Sequence, residues 1–303
     1  LMCSSDVKFI DGDYHGLQLP MIPGHEFSGI VVEADNKDLI GKKVVADNLM
    51  PCGECQFCKS DRGNLCKNLD EIGSNVDGSF AEYLKVKEEN IFVLPDKVDL
   101  LSASIIEPLA VALNAVNRVP IEKNESVSIF GAGCIGLLIT SILKYKGFNN
   151  IIVFDYIENR LDVARRIGAH KTVNLTNRDN VEFLKTLEKT DIVYDATGVS
   201  DCFNFILSVV KPGGKIGYVG YSGSQSVTFE PSKIMLNELN IYGVLSPFKT
   251  YEEAIEYLNK GVISTKDIIT HVVKLEDFGE IYKKMKFRED NIIRGAFDFN
   301  ISC

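Results

Sequence analysis

Four of the eight cysteines fall within fifteen residues, as Cys52-x2-Cys55-x2-Cys58-x7-Cys66, in a stretch punctuated by Pro51, Gly53 and Gly63. Four thiolates gathered in one loop suit tetrahedral zinc, with Zn–S distances of about 2.3 Å. With all four positions taken by protein, such a zinc is structural. The same ligands would serve an iron–sulfur cluster. Free or disulfide-linked thiols are the plain alternative. Disulfide frameworks spread their cysteines through short secreted domains, whereas this cluster stands apart from Cys3, Cys134, Cys202 and Cys303.

A second chemistry is written in Ser128-Ile129-Phe130-Gly131-Ala132-Gly133-Cys134-Ile135-Gly136. An apolar strand runs into G-x-G-x-x-G and then into a helical pattern. Gly131 permits the tight turn, Gly133 lets the backbone approach a pyrophosphate, and Gly136 lets helix and strand pack closely. A second apolar run ends in Asp155, nineteen residues after Gly136. A carboxylate there accepts hydrogen bonds from both ribose hydroxyls of NAD and repels the 2′-phosphate of NADP.

Further ligand-type residues occur in Cys3-Ser4-Ser5-Asp6, Gly24-His25-Glu26 and Ile106-Glu107-Pro108. Singly they say little. A lone histidine is more often a hydrogen-bonded core residue, and a lone cysteine a small core hydrophobe. A carboxylate before proline often opens a helix. His15, His170 and His271 have no partner pattern and read as surface or hydrogen-bonded residues.

The elements that must position these groups fall into two textures. Up to about residue 112, short apolar runs alternate with Gly, Pro, Asn and Asp, which predicts strands at 29–33, 43–46, 80–86 and 91–94. From residue 113, strand-like runs at 127–130, 151–154, 171–174, 192–194, 215–219 and 240–245 alternate with helical periods. Leu161, Ala164 and Ile167 form one helical stripe, stopped by Gly168, and Val181, Leu184 and Leu187 form another. Six strands alternating with helices predict a doubly wound parallel sheet, an α/β fold. A helix near 251–259, a strand near 271–274 and a helix near 275–286 do not extend that alternation, and they read as the chain returning to its first domain. The expected division is 1–112 together with 249–303, and 113–248.

The 303 residues are 45% hydrophobic and 25% charged, enough for two packed domains. The net charge of −9 disfavours nucleic acid and anionic membrane surfaces as partners. The uncharged stretch 126–143 is better read as strand, glycine turn and buried helix than as a membrane span. No charged segment followed by an apolar one opens the chain, so a cytoplasmic location is expected.

Taken together and in order, these motifs resemble the zinc-containing medium-chain alcohol and polyol dehydrogenases. The resemblance rests on Cys3–Asp6, Pro23–Gly29, Cys52–Cys66, Asp77–Tyr83, Ile106–Leu109 and the Gly131–Gly136 turn with Asp155 and Arg160. It implies a Rossmann domain and a mostly-β GroES-like catalytic domain, shortened at its N-terminal side. Among such enzymes the sorbitol and galactitol-phosphate dehydrogenases are nearest, because they carry Glu where liver-type relatives carry a third cysteine ligand.

The resemblance also implies roles. Cys3 and His25 would bind a catalytic zinc, completed by Glu26 or Glu107, directly or through water, and Cys52, Cys55, Cys58 and Cys66 a structural one. Asp6 would orient His25, and Ser5 would relay the alcohol proton. Gly131, Gly133, Ile135, Gly136, Asp155 and Arg160 would hold NAD. Three protein ligands leave zinc one position for an alcohol oxygen, whose acidity it raises, and the nicotinamide carries the redox chemistry. The expected substrate is a polyol or polyol phosphate, with threonine or simple alcohols as alternatives. The expected assembly is a homodimer or homotetramer paired along the 241–245 strand. A zinc-stapled dinucleotide-binding protein without turnover is the reading from another class. Two departures stand out: Lys8 replaces a proton-relay histidine, and the 33–44 segment is short.

Overall fold

The computed structural model describes residues 1–13, 20–176 and 186–299. The helical stripe predicted at Val181, Leu184 and Leu187 falls largely outside them, as do His15 and Cys303. The chain forms two compact units, 1–111 with 246–303, and 112–245.

The first unit opens with α1 (Ser4–Ile10), capped by the Asp6 carboxylate, which accepts from the Cys3 N–H at 2.6 Å. Short strands follow: β1 (Gly29–Ile30), β2 (Lys43–Ala46) and β3 (Leu49–Met50). After them come α2 (Gln56–Lys59), β4 (Asp70–Glu71) and β5 (Ile91–Val93). β2 pairs antiparallel with both β1 and β5, and β3 pairs antiparallel with β4. The strand predicted at 80–86 does not form. The Phe80 N–H instead bonds the Pro23 carbonyl at 3.0 Å, next to the Ser79 N–H on Gly24, so this segment clasps the His25 turn rather than joining a ladder. α3 (Leu100–Ala103) starts at an Asp99 cap, and α4 (Ile106–Arg118) follows it. The apolar stretch Leu100–Arg118 is long enough to cross a membrane by composition, but 67% of its most apolar window is buried within the protein.

In the second unit, β6 (Val127–Phe130), α5 (Cys134–Tyr145), β7 (Ile151–Asp155), α6 (Glu158–Ile167) and β8 (Lys171–Asn174) alternate. β9 (Thr190–Asp195), α7 (Cys202–Val209), β10 (Val210–Tyr218), α8 (Ser232–Leu236) and β11 (Asn240–Gly243) complete it. The six strands are parallel, in the order β8-β7-β6-β9-β10-β11, so the strand order reverses between β6 and β9. Every residue of β6 and β7 is buried, as expected for a parallel sheet covered on both faces. β10 begins five residues before the predicted run because Lys211-Pro212-Gly213-Gly214 bulges within the strand instead of ending it.

The returning chain supplies α9 (Tyr251–Asn259), β12 (Ile269–Val273), α10 (Phe278–Phe287) and β13 (Arg294–Phe297). β12 and β13 pair in parallel. Met2, Val7, Ile281 and Ile292 form a core beneath them, closed by the edge-to-face rings of Phe80 and Phe297 at 5.1 Å.

Candidate active site and metal centres

The four loop cysteines converge. Their sulfurs all lie within 4.8 Å of one another, and none is in a disulfide. Cys55 and Cys58 stand 3.5 Å apart, and Cys66 accepts the Cys52 and Asn68 N–H groups, each at 3.3 Å. Backbone donors from Cys58 and Lys67 lower the Cys55 thiol to about 6. Four sulfurs, with no further ligand-type side chain in the group among the described residues, fit a closed tetrahedral zinc site.

A second donor group forms in the first unit from sequence-distant pieces. Cys3 at the start of α1, and His25 and Glu26 on the turn that Phe80 clasps, bring their ligand atoms within 4.8 Å of one another. Asp6, fully buried, faces His25 Nδ1 through Oδ1 at 3.4 Å. Burial alone would depress the His25 pKa, but the charge and hydrogen bonding of Asp6 and Cys3 raise it well above the usual range. Burial would raise the Cys3 thiol, but the charge of Arg294 and the influence of His25 lower it, favouring the thiolate that binds metal.

Arg294 was invisible to motif reading. It is one charge in an apolar strand run, 268 residues from its partner. Its guanidinium donates to Glu26 Oε1 at 2.9 Å and to Cys3 Sγ at 3.4 Å, with 4% and 1% of the Arg294 and Glu26 side chains exposed. Glu26 Oε2 is buried with no hydrogen-bond partner among the described residues. A buried carboxylate oxygen left open beside a thiolate and an imidazole is what a zinc ion would complete. Glu107, in the first turn of α4, lies within electrostatic reach of His25, Glu26, Cys3 and Arg294 but outside the converged group. Burial raises its pKa well above the ordinary value, against the pull of His25. Ser5 is half-buried on α1. Lys8, also half-buried there, feels the charge of Cys3.

The glycine turn of the second unit joins β6 to α5. Gly131 has φ +97°, and a Cβ there would meet the Ala196 carbonyl at 2.9 Å. A Cβ on Gly136 would lie 1.8 Å from the Gly131 carbonyl oxygen, so helix and strand are in backbone contact. Beside Gly133 the nearest group is Arg160 Nη1, 3.9 Å from where a Cβ would stand, which leaves the backbone approachable. Asp155 ends β7, as expected, but it also braces the turn. Its Oδ2 accepts the Ala132 N–H at 2.7 Å, and its Oδ1 accepts those of Tyr156 and Ile157 at 2.7 and 2.9 Å. Oδ1 is then fully used, and Oδ2 keeps acceptor capacity for a ribose hydroxyl. Ile135 is half-buried on the first turn of α5. A helix start with an open glycine cradle and a carboxylate at the second strand end fits a dinucleotide.

Two metal-type donor sets on a β-rich unit, and a glycine turn on a doubly wound sheet, define a metal-dependent dehydrogenase. Residues 2–96 match the alcohol dehydrogenase GroES-like domain, and residues 134–260 match the zinc-binding dehydrogenase domain. The chain belongs to the zinc-binding medium-chain alcohol dehydrogenase family. It is 30% identical to sorbitol dehydrogenase of Bacillus subtilis over 285 residues, covering 91% of this chain and 81% of that protein. It is also 30% identical to L-threonine 3-dehydrogenase of Shewanella sp. strain W3-18-1, covering 94% and 86%. An alcohol dehydrogenase of E. coli CFT073, solved with NADH, superposes with a TM-score of 0.90 at 27% identity, covering 98% and 89%. The protein is accordingly a zinc-dependent oxidoreductase of the alcohol and polyol dehydrogenase type.

Proposed function

We propose that the chain oxidises a secondary hydroxyl of a polyol to a ketone, with NAD as the acceptor. The observation that carries this is the Cys3–His25–Glu26 group, in which one ligand is a carboxylate tied to Arg294 rather than a second thiolate. Carboxylate and water ligands are hard and exchangeable, and they suit a hydrophilic pocket. Zinc bound there supplies Lewis-acid polarisation of the hydroxyl, and NAD supplies the hydride acceptor.

The protein's own groups do the rest. Asp6 orients the His25 ring from its Nδ1 side. Arg294 fixes one Glu26 oxygen and leaves the other for the metal. Glu107 is the alternative carboxylate. Ser5 takes the proton leaving the hydroxyl. Asp155 receives the ribose and disfavours a 2′-phosphate, since neither Tyr156 nor Ile157 carries a cation to balance one. Cytoplasmic location and a homodimer or homotetramer are part of the same reading.

An NAD-reduction screen of the zinc-loaded protein tests it. Polyols or their phosphates should give a higher kcat/KM than ethanol or benzyl alcohol. Preferential turnover of threonine or of primary alcohols would replace the polyol assignment.

A further inference from the structure

Glu71 has no part in the chemistry above, and the fold does not require its side chain. Its backbone needs are met by β4, where it pairs with Leu49, and by Asn75 Oδ1, which accepts its N–H at 2.7 Å. The carboxylate is mostly buried and makes no ion pair among the described residues. Its contacts are the Asn48 Nδ2 donor at a long 3.5 Å and a hydrogen bond from Ser74. A buried carboxylate held only by weak neutral donors destabilises the fold unless something else binds it.

Two observations tie that something to the site. The turn that Glu71 opens packs on the His25 turn: a Cβ on Gly73 would lie 2.5 Å from the carbonyl oxygen of Gly24, and the charge of the His25 ring reaches the Glu71 carboxylate. The amide that holds it is itself oriented from behind: Tyr251 Oη donates to Asn48 Oδ1 at 3.3 Å, and both residues are almost wholly buried. This leaves the Asn48 Nδ2 side turned to Glu71. Asp47 adds further negative charge beside Glu71, and the site's buried cation, Arg294, is committed to Glu26 and Cys3.

We propose that Glu71 is a specificity-determining residue. Its carboxylate accepts hydrogen bonds from hydroxyls neighbouring the reacting carbon, and its charge turns away substrates bearing a phosphate or carboxylate. This rests on the dehydrogenase reading above and narrows the substrate class to neutral polyols. A carboxylate has room for two such hydroxyls, which a simple alcohol does not offer.

The test compares the zinc-loaded parent with Glu71→Ala and Glu71→Gln on xylitol, sorbitol 6-phosphate and 2-propanol, after equal zinc content and a cooperative unfolding transition have been verified for each. In the parent, xylitol should exceed sorbitol 6-phosphate in kcat/KM. Glu71→Ala should lower kcat/KM for xylitol about tenfold, chiefly through KM, with 2-propanol within about twofold. The rise in Tm that xylitol gives the parent should shrink in parallel. Glu71→Gln keeps an acceptor and loses the charge, so it should retain most xylitol activity and improve sorbitol 6-phosphate. An unchanged xylitol-to-2-propanol ratio in Glu71→Ala, or a parent that prefers the phosphate, overturns the proposal. If the parent turns over no polyol, the polyol reading fails separately. Glu71 is then judged on lactate against 2-propanol, where an unchanged ratio in Glu71→Gln overturns its role.

Discussion

Arg294 and Glu26 show how much one buried pair can decide. Removing one member leaves the other charged and dry, which costs about 3–5 kcal/mol. Arg294→Met should therefore destabilise the protein by about that much in urea unfolding and also lower its zinc content. Adding Glu26→Gln to it should recover part of the stability but not the metal. A single variant that unfolds like the parent would show the pair to be energetically idle. His25→Ala, by contrast, should remove one zinc and leave the loop zinc in place, as read by metal analysis. Cys55→Ser should lose the loop zinc and stability with it, because structural zinc contributes folding energy. A coloured iron–sulfur chromophore in the parent would contradict that assignment.

Elements carry their own consequences. In the glycine turn, Gly136→Ala places a methyl on the Gly131 carbonyl, with no flexible side chain to yield. Overpacking of this kind costs about 1–3 kcal/mol. NADH affinity should fall about tenfold or more in a fluorescence titration, and parent-like binding would mean that the turn relaxes freely. The sheet is tied at its N-terminal ends by Asp191 on β9, which accepts from Ser126 and pairs with Lys211 on β10 at 2.9 Å. Burial works against the charge, but Ser126 and Lys211 prevail and hold the Asp191 carboxyl at about 2, below the ordinary 3.8. The unfolded chain therefore takes up the proton first. The stabilisation is complete above about pH 4 and is lost as pH falls toward 2. Asp191→Asn should cost about 1 kcal/mol at pH 7, discounted for a side chain 30% exposed, and nothing near pH 2. A pH-independent difference would deny the linkage.

The six parallel strands were readable because each is a short apolar run between helical periods, and the four cysteines because they are neighbours in sequence. What escaped reading depends on distance or context. Arg294 has no local signature, since its meaning comes from Glu26 at the other side of the unit's chain. Phe80–Val86 has strand texture, but the Pro23 carbonyl takes its first donor, beside the Ser79 N–H held by Gly24. Pro212 and Gly213 look like a stop, and only the neighbouring strands turn them into a bulge.

For the whole molecule, the outer strand of the large sheet bears on assembly. Among the described residues β11 has a partner on one side, in β10, and Ile241 on it and Leu245 just beyond it are 42% and 51% exposed. An open strand edge bearing apolar side chains pairs readily with its own copy. Light scattering should give at least a dimer mass, and Ile241→Lys with Leu245→Glu should shift it toward monomer. A monomeric parent would remove the edge from consideration.

The unit that gathers Cys3, His25, Glu26 and Arg294 is interrupted by residues 112–245. During synthesis, the first three ligand-type residues leave the ribosome long before Arg294, and the glycine-turn unit is made in the interval. Until Arg294 arrives, Glu26 lacks its ion-pair partner and the Cys3 thiol lacks the charge that most favours its thiolate. The loop of four cysteines, wholly local, can take its zinc early. The second group is complete only when nearly the whole chain has been made, so chain topology favours filling of the loop site first.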